Sequence, residues 1–176
     1  LQRYVATLHR MIYGAVGFYN GDLAVARQFG LAIYFKGHNT IGSPALRAAS
    51  CAWLIEQTAP VIGEQLRLSV NLGIAVGHSE LGPGDHRDIY PGLYTQSSLD
   101  RLHSVCQQER EGIALVDEVG DDLDLQNRAT ILAPGNDRKR LGSWVDSHRD
   151  LVERQRQILL RALIDNAPQT DTKLSE

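Results

Sequence analysis

The sequence predicts an α+β sandwich with an antiparallel-rich sheet. Three observations favour this class. Apolar residues recur at three- and four-residue steps in residues 1–16, apolar residues alternate with smaller or polar ones in residues 66–77, and a helical apolar stripe runs through residues 141–166. Helical and strand periodicities therefore occur together in one chain of 176 residues, a length that suits a single domain with one core.

The first part of the chain predicts a helix followed by a β-hairpin. The apolar stripe of residues 1–16 forms the helix, and Asn20-Gly21 ends it. Two short apolar runs follow, near residues 22–27 and 30–36. The turn between them contains Phe29, at a position where a hairpin usually has a polar residue.

A second helix and a strand follow the hairpin. Ser43 and Pro44 can cap and start the helix, and we expect it to end near Pro60 and Gly63. Residues 66–77, LRLSVNLGIAVG, alternate with period two, which is typical of a strand with one buried face.

The rest of the chain predicts a third helix, two short strands and a final helix. The third helix covers residues 93–108, and the strands cover residues 112–118 and 128–133. The final helix carries the apolar stripe of residues 141–166. Two interpretations of this stripe are open: it packs on the helix's own domain, or it pairs with a helix of a partner. The polar residues 167–176 predict a disordered tail.

The order of elements is helix, hairpin, helix, strand, helix, strand, strand, helix. With helices on one face of the sheet, right-handed crossovers and a strand preceding the chain, this order gives a ferredoxin-like sandwich. We therefore expect one domain over residues 1–140, with the helix of residues 141–166 packed on it.

Composition narrows the possible partners and the compartment. The net charge is −3 and the pI about 6.1, so nucleic acid is not an expected partner. Cys51 and Cys106 lack metal or disulfide spacing, which favours buried thiols in a reducing cytoplasm. The chain contains no long apolar run, so we expect no direct membrane contact. Because the sequence begins at Leu1 and not at a methionine, we expect it to belong to a longer protein. The presence of a membrane anchor before Leu1 is left as an open alternative.

Three motifs follow one another along the chain. They are YNGDLAVARQFGLAIYF in residues 19–35, LSVNLGIAVGHSELG in residues 68–82 and SSLDRL in residues 97–102. In this order they resemble the hairpin, the strand with its glycine loop and the V-N-x-A-A-R-L helix of class III adenylate and guanylate cyclase catalytic domains. The resemblance covers roughly residues 1–118 and implies a nucleotide-cyclase-like fold that lacks its first strand.

The same resemblance implies that the metal site is degenerate. These cyclases use two divalent metals held by two aspartates, one on the first strand and one in the hairpin turn. Phe29 stands at the second position, and phenylalanine cannot bind Mg²⁺ or Mn²⁺, which require oxygen ligands. Residues 23–35 contain no Asp or Glu, and Asp22 lies roughly 20 Å from the turn along an extended strand.

Other family positions are also substituted. The lysine that recognises adenine in the family corresponds to Val25, and the acidic partner of that lysine falls near Leu93 or Tyr94. The asparagine that orients the ribose corresponds to Ser97. Of these family positions, the arginine that stabilises the transition state is the one with a match, at Arg101. Arg101 is equally typical of an exposed charge on an amphipathic helix.

The resemblance therefore implies a catalytically inactive regulatory domain of a bacterial signalling protein. It implies no catalytic residue, with Arg101 as a remnant position, and no cofactor. Cyclase domains work in pairs, so the expected partner is a second copy or another cyclase-like domain. Two alternatives stay open: an active or atypical cyclase whose metals are held by upstream or partner residues, and a nucleotide or small-ligand sensor without chemistry.

The loop HSELGPGDHRD is a second, weaker candidate for a metal site. His78, Asp85 and His86 are its possible ligands, together with Glu80 and Asp88. Their spacing matches no zinc pattern, and a Gly-Pro-Gly segment is poor at fixing ligand geometry. A solvated surface loop is the favoured interpretation.

Overall fold

The computed structural model describes residues 2–26, 30–69, 72–78, 96–109, 112–116, 118–133 and 138–165. This part of the chain forms five α-helices and six strands, with one 3-10 turn at Val119–Asp121. In chain order the elements are α1 (Gln2–Phe18), β1 (Asp22–Ala26), β2 (Gly30–Tyr34), α2 (Pro44–Gln65), β3 (Ile74–Val76), α3 (Gln96–Gln108), β4 (Ile113–Leu115), α4 (Leu123–Arg128), β5 (Ala129–Leu132), β6 (Lys139–Trp144) and α5 (Asp146–Asp165). The chain is therefore an α+β protein, as the sequence predicts.

The predicted hairpin is confirmed, but it does not join the main sheet. β1 and β2 pair antiparallel from Asp22 opposite Tyr34 to Ala26 opposite Gly30, and within the described residues they form a sheet of two strands. The expectation of one common sheet is therefore wrong. Residues 27–29, which connect the strands and include Phe29, lie outside the described residues.

Helix α2 begins where the sequence predicts and ends later. The hydroxyl oxygen of Ser43 accepts a hydrogen bond from the backbone nitrogen of Leu46 at 3.2 Å, which caps the helix. The helix, which the sequence predicts to end near Pro60 and Gly63, continues through Pro60 to Gln65, two residues past Gly63. Its buried face extends past the proline through Ile62, and burial of that face outweighs the helix-breaking tendency of proline.

The long strand predicted over residues 66–77 is wrong in its first half. Gly63 accepts a hydrogen bond from the backbone nitrogen of Leu68 at 2.8 Å, and Glu64 accepts one from Arg67 at 3.1 Å. Together with the positive φ of 57° at Arg67, this pattern is a Schellman motif that ends α2. The end of the helix therefore uses residues whose alternating pattern suggested a strand. Among the described residues of this range, Ile74–Val76 joins the sheet, and residues 70–71 lie outside the described residues.

In the part of the chain that the structure describes, the main sheet has four strands in the order β3-β4-β6-β5. β3 and β4 are parallel and are connected through α3, whereas β6 is antiparallel to both β4 and β5. Ile113 and Leu115 of β4 pack in one core cluster with α2, and Ala114 packs with Val105 of α3 in another. Because neighbouring residues of a strand point to opposite faces, α2 and α3 cover opposite faces of the sheet, and the expectation of helices on one face is wrong.

The final helix starts later than predicted. Strand β6 occupies Lys139–Trp144, so the predicted helix start and domain boundary at residue 141 fall inside a strand. Pairing of β6 with β4 and β5 explains the difference, since Trp144 lies opposite Ala129 and Arg140 opposite Leu132. α5 packs against α1 and α2, as expected of the C-terminal helix. The predicted tail, residues 167–176, lies outside the described residues.

Helix α2 lies between the two larger core clusters. On one side it packs against α1, the hairpin and Leu159 of α5, and on the other it packs against the sheet and Val152 of α5. Ile158, which the sequence places on the inner stripe of this last helix, is 54% exposed. Among the helices described, none combines the length and apolar character needed to cross a bilayer.

Candidate functional site

The residues predicted to form a cyclase or metal site are not brought together in the described part of the chain. Phe29, Asp85 and His86 lie outside the described residues. His78 is exposed just after β3, and Arg101 is exposed on α3. Within the described ranges, no three His, Cys, Asp or Glu side chains are grouped as metal ligands would be.

The first residue of the hairpin, Asp22, lies at the end opposite the turn. It is paired with Tyr34, whereas Ala26 and Gly30 flank the turn. Its carboxylate lies 3.9 Å from the ammonium group of Lys36, and both side chains are well exposed. Asp22 therefore closes the base of the hairpin and is not positioned to supply a ligand at the turn.

Helix α3, which carries Arg101, is attached to the sheet by an ion-pair clamp. The buried carboxylate of Glu109, just after α3, contacts the guanidinium groups of Arg138 and Arg140 at 3.0 and 3.1 Å. A charge that is only 4% exposed depends on such partners, because an unpaired carboxylate is costly to bury. The clamp thus fixes the C-terminal end of α3 against β6.

The structure instead gathers polar side chains inside the helical layer. We call this set the buried polar cluster, and it is formed by Tyr19, Arg47, Ser50, His148 and Gln155. Their exposure ranges from 0 to 8%. Tyr19 follows α1, Arg47 and Ser50 belong to α2, and the other two belong to α5. The cluster therefore joins three helices that are remote in sequence.

Ser50 and His148 form the polar contact between α2 and α5. The hydroxyl of Ser50 donates to the carbonyl of Leu46 at 2.7 Å, and the same oxygen lies 2.9 Å from Nε2 of His148. Since a hydroxyl has one proton to donate, Nε2 carries the imidazole proton and donates it to Ser50. Burial, and secondarily the charge of Arg128, lower the pKa of His148 to about 4.

Tyr19 and Gln155 form the equivalent contact between α1 and α5. The Tyr19 hydroxyl, which is fully buried, donates to the side-chain carbonyl of Gln155. Burial raises the pKa of Tyr19 to about 12. The phenol is therefore neutral at any physiological pH and acts as a hydrogen-bond donor.

Arg47 attaches the end of the hairpin to α2. Its guanidinium donates to the carbonyl of Tyr19 at 3.3 Å, to that of Lys36 at 2.8 Å and to that of Gly37, and it lies 6.0 Å from the Phe35 ring centroid. Burial lowers the pKa of Arg47. Within the described residues no carboxylate contacts it, so backbone carbonyls supply the compensating negative dipoles.

The geometry of the buried polar cluster supports a structural role. Ser50 and His148 are within the distance of a nucleophile and its base, but Ser50 is fully buried and its proton is already donated to Leu46. The neighbouring thiol of Cys51 is also buried, which raises its pKa to about 12 and removes nucleophilic character at neutral pH. The cluster is therefore suited to holding α1, α2 and α5 together.

A cleft at the surface lies between α1 and α5. Its volume is about 160 Å³, which is below the roughly 300 Å³ at which pockets for drug-sized ligands begin. A nucleotide is therefore too large for it. The lining residues are Arg10, Met11, Gly14, Leu159, Ala162 and Leu163.

Comparison with known proteins finds no matching family model, no similar curated protein and no similar solved structure. Function is therefore inferred from the residues of the chain itself.

Sequence reasoning did not find the buried polar cluster, although part of its signal is present. Arg47 and Ser50 are three residues apart and Leu54 follows four later, so all three lie on one helical face that is also the buried face of α2. An arginine and a serine on a buried stripe indicate partners elsewhere in the fold. The identity of those partners is not encoded locally, since His148 is 98 residues from Ser50.

Proposed function

We propose that this chain is a catalytically inactive, nucleotide-cyclase-like regulatory domain of a bacterial signalling protein, acting in the cytoplasm through contact with a second copy or another such domain. One observation carries the proposal. The hairpin that corresponds to the metal-binding hairpin of the cyclases has no Asp or Glu in residues 23–35, and Asp22 lies at the end opposite the turn, beside Lys36.

The missing carboxylate matters because cyclisation of a nucleoside triphosphate depends on metal ions that neutralise developing phosphate charge. Removal of even one hydrogen-bond donor from such a site costs about 3–4 kcal/mol of transition-state stabilisation. Loss of a metal ligand is expected to cost more. The α+β class and the helix–hairpin–helix order of α1, β1, β2 and α2 support the proposal but are shared by other folds.

An activity assay tests the absence of catalysis. The chain is incubated with ATP or GTP and Mn²⁺, and cyclic product is measured by mass spectrometry. We expect none above the blank. Turnover that is lost in Arg101→Ala and kept in Arg154→Ala, an exposed arginine on α5, would show an active cyclase and overturn the proposal.

Two further measurements test how the domain acts. Sedimentation velocity over a wide concentration range is expected to show reversible dimers, and a chain that stays monomeric contradicts action as a homodimer. Thermal unfolding with nucleotides distinguishes a ligand sensor, because a ligand at 100 times its Kd stabilises a protein by about 2.7 kcal/mol. We expect no shift, and a reproducible shift without turnover would favour the sensor.

A further inference from the structure

The buried face of α5 is half polar, and each polar residue on it contacts a different helix. His148, Val152, Gln155 and Leu159 follow one another at helical spacing, and all four are at most 8% exposed. His148 bonds Ser50 of α2, and Gln155 bonds Tyr19 after α1. Docking of α5 therefore depends on two neutral hydrogen bonds as well as on apolar contacts.

The surroundings of His148 do not accommodate a positive charge. The ring is 3% exposed and packs at 4.7 Å, centroid to centroid, against the Trp144 indole from β6, with the two ring planes inclined at 62°. Ser50 of α2 is already bonded to Nε2, so a second proton must go to Nδ1. The nearby cation that acts on this site is Arg128, at the end of α4, and it opposes protonation.

Among the described residues, no neighbouring acidic group compensates that charge. Of the ionisable groups on the adjoining α1 and α2 segments, Tyr19 and Cys51 have a pKa of about 12 and are neutral, whereas Arg47 of the same cluster is a guanidinium cation. On α5 itself, Asp146 and Asp150 are exposed to solvent, and Arg149 donates to the carbonyl of Trp144 at 2.7 Å. Proton uptake at His148 would therefore add a further positive charge to a buried site that already experiences those of Arg47 and Arg128.

We propose that His148 is an acid-sensitive latch whose protonation releases α5 from α1 and α2. Release of α5 breaks no strand pairing of the sheet. α2 is held between two core clusters and the sheet is hydrogen-bonded strand to strand, whereas α5 follows the sheet through the single residue Val145. Once α5 leaves, the imidazolium is hydrated and the apolar side of α1 near Gly14, now covered by Leu159, is exposed. The latch does not depend on the proposed cyclase-like function.

The direction of the pH dependence follows from the two protonation equilibria. The unfolded or released histidine has a pKa near 6.5, whereas the docked histidine has a pKa of about 4. The docked form therefore binds the proton about two orders of magnitude more weakly than the released form. The association of α5 with α1 and α2 is therefore most stable above pH 6.5, and its stability falls progressively as the pH falls toward 4.

The chain carries its own optical probe of this contact. It has two tryptophans, and Trp53 of α2 lies 6.5 Å from Trp144 while Trp144 touches His148. Departure of α5 separates the Trp144 indole from the imidazole. Intrinsic fluorescence therefore reports on the latch without any label, and Trp53→Phe isolates the Trp144 signal.

The test combines a fluorescence titration from neutral pH to about pH 4 with hydrogen exchange corrected for the pH dependence of the intrinsic rates. We expect a transition below pH 6.5 in which amides of α5 lose protection while those of α2 keep it. The transition should be absent in His148→Gln, whose neutral amide can still donate to Ser50, and present in His38→Gln, which removes an exposed histidine. Simultaneous loss of protection in α2 and α5 would overturn the proposal.

A second measurement covers the case in which His148→Gln does not fold. The imidazole resonances of the unmodified chain are titrated by NMR. A buried histidine that titrates together with the loss of α5 protection supports the latch. A His148 that titrates at or above pH 6.5 while α5 stays protected shows that the docked site tolerates the charge, and the latch is then wrong.

Discussion

Ser43 donates its hydroxyl proton to a carboxylate oxygen of Asp122, 2.7 Å away, across 79 residues of chain. Each residue also caps its own helix, since Leu46 donates to Ser43 at 3.2 Å and Leu125 donates to Asp122 at 3.0 Å. The N-terminal ends of α2 and α4 are thereby fixed to each other.

Replacing Asp122 should therefore remove two interactions at once. Asp122→Ala deletes the cap of α4 and the acceptor of the buried Ser43 hydroxyl, so we expect the free energy of unfolding to fall by about 2–3 kcal/mol. Urea denaturation measures this loss. Asp121→Ala is the matched control, because the ion pair of that neighbouring carboxylate with Lys139 is exposed and its loss should cost less than about 1 kcal/mol. Equal losses in the two variants would contradict the shared cap.

Arg47→Met should destabilise the protein by about 3 kcal/mol or more. The substitution keeps an apolar stem but leaves the carbonyls of Lys36 and Gly37 without their buried donor. We expect Arg47→Lys to recover only part of the loss, since a single ammonium cannot reproduce the fork of a guanidinium. Hydrogen exchange should show the largest loss of protection in β1 and β2. Arg154→Met, at an exposed site on α5, is the control, and a similar effect there would argue against the anchor.

Elements with strong local signals could be predicted from the sequence. The apolar period of α1, the paired runs of the hairpin and the Ser43-Pro44 start of α2 all appear as expected. Errors occur where contacts from other parts of the chain decide the outcome. β6 contains charged residues and a glycine, with no clear alternation, and it becomes a strand because β4 and β5 pair with it on both sides.

The same physical limit applies to the candidate site. The candidate residues that the sequence predicts in the hairpin turn and the glycine loop, Phe29, Asp85 and His86, lie outside the described residues. The buried polar cluster depends on pairings such as Tyr19 with Gln155, which are 136 residues apart. Local patterns can show that a buried polar residue needs a partner, but which partner it finds is set by how the helices pack.

Arg67→Gly should stabilise the protein, which is unusual for the removal of a side chain. Arg67 is exposed and has φ of 57° at the end of α2, in the left-handed region that favours glycine. Relief of that strain contributes about 1–2 kcal/mol to the free energy of unfolding. The greater conformational entropy of glycine in the unfolded chain offsets part of this contribution, so we expect a net gain in stability of up to about 1 kcal/mol. Arg154→Gly, inside α5, should instead cost about 1 kcal/mol. Thermal unfolding of the two variants should shift in opposite directions, and a lower Tm for Arg67→Gly would contradict the Schellman motif.

Two glycines of α1 should respond oppositely to the same substitution. A Cβ added at Gly17 meets no atom within 4 Å, so Gly17→Ala should stabilise the helix by about 0.5–1 kcal/mol through helix propensity alone. A Cβ added at Gly14 comes within 2.6 Å of Cδ2 of the buried Leu159, so α5 or the leucine must move. Such overpacking costs about 1–3 kcal/mol, which equals or exceeds the same gain in propensity. Urea denaturation of both variants measures the difference. If Gly14→Ala is as stabilising as Gly17→Ala, then α5 does not pack on α1 as closely as the contact with Leu159 requires.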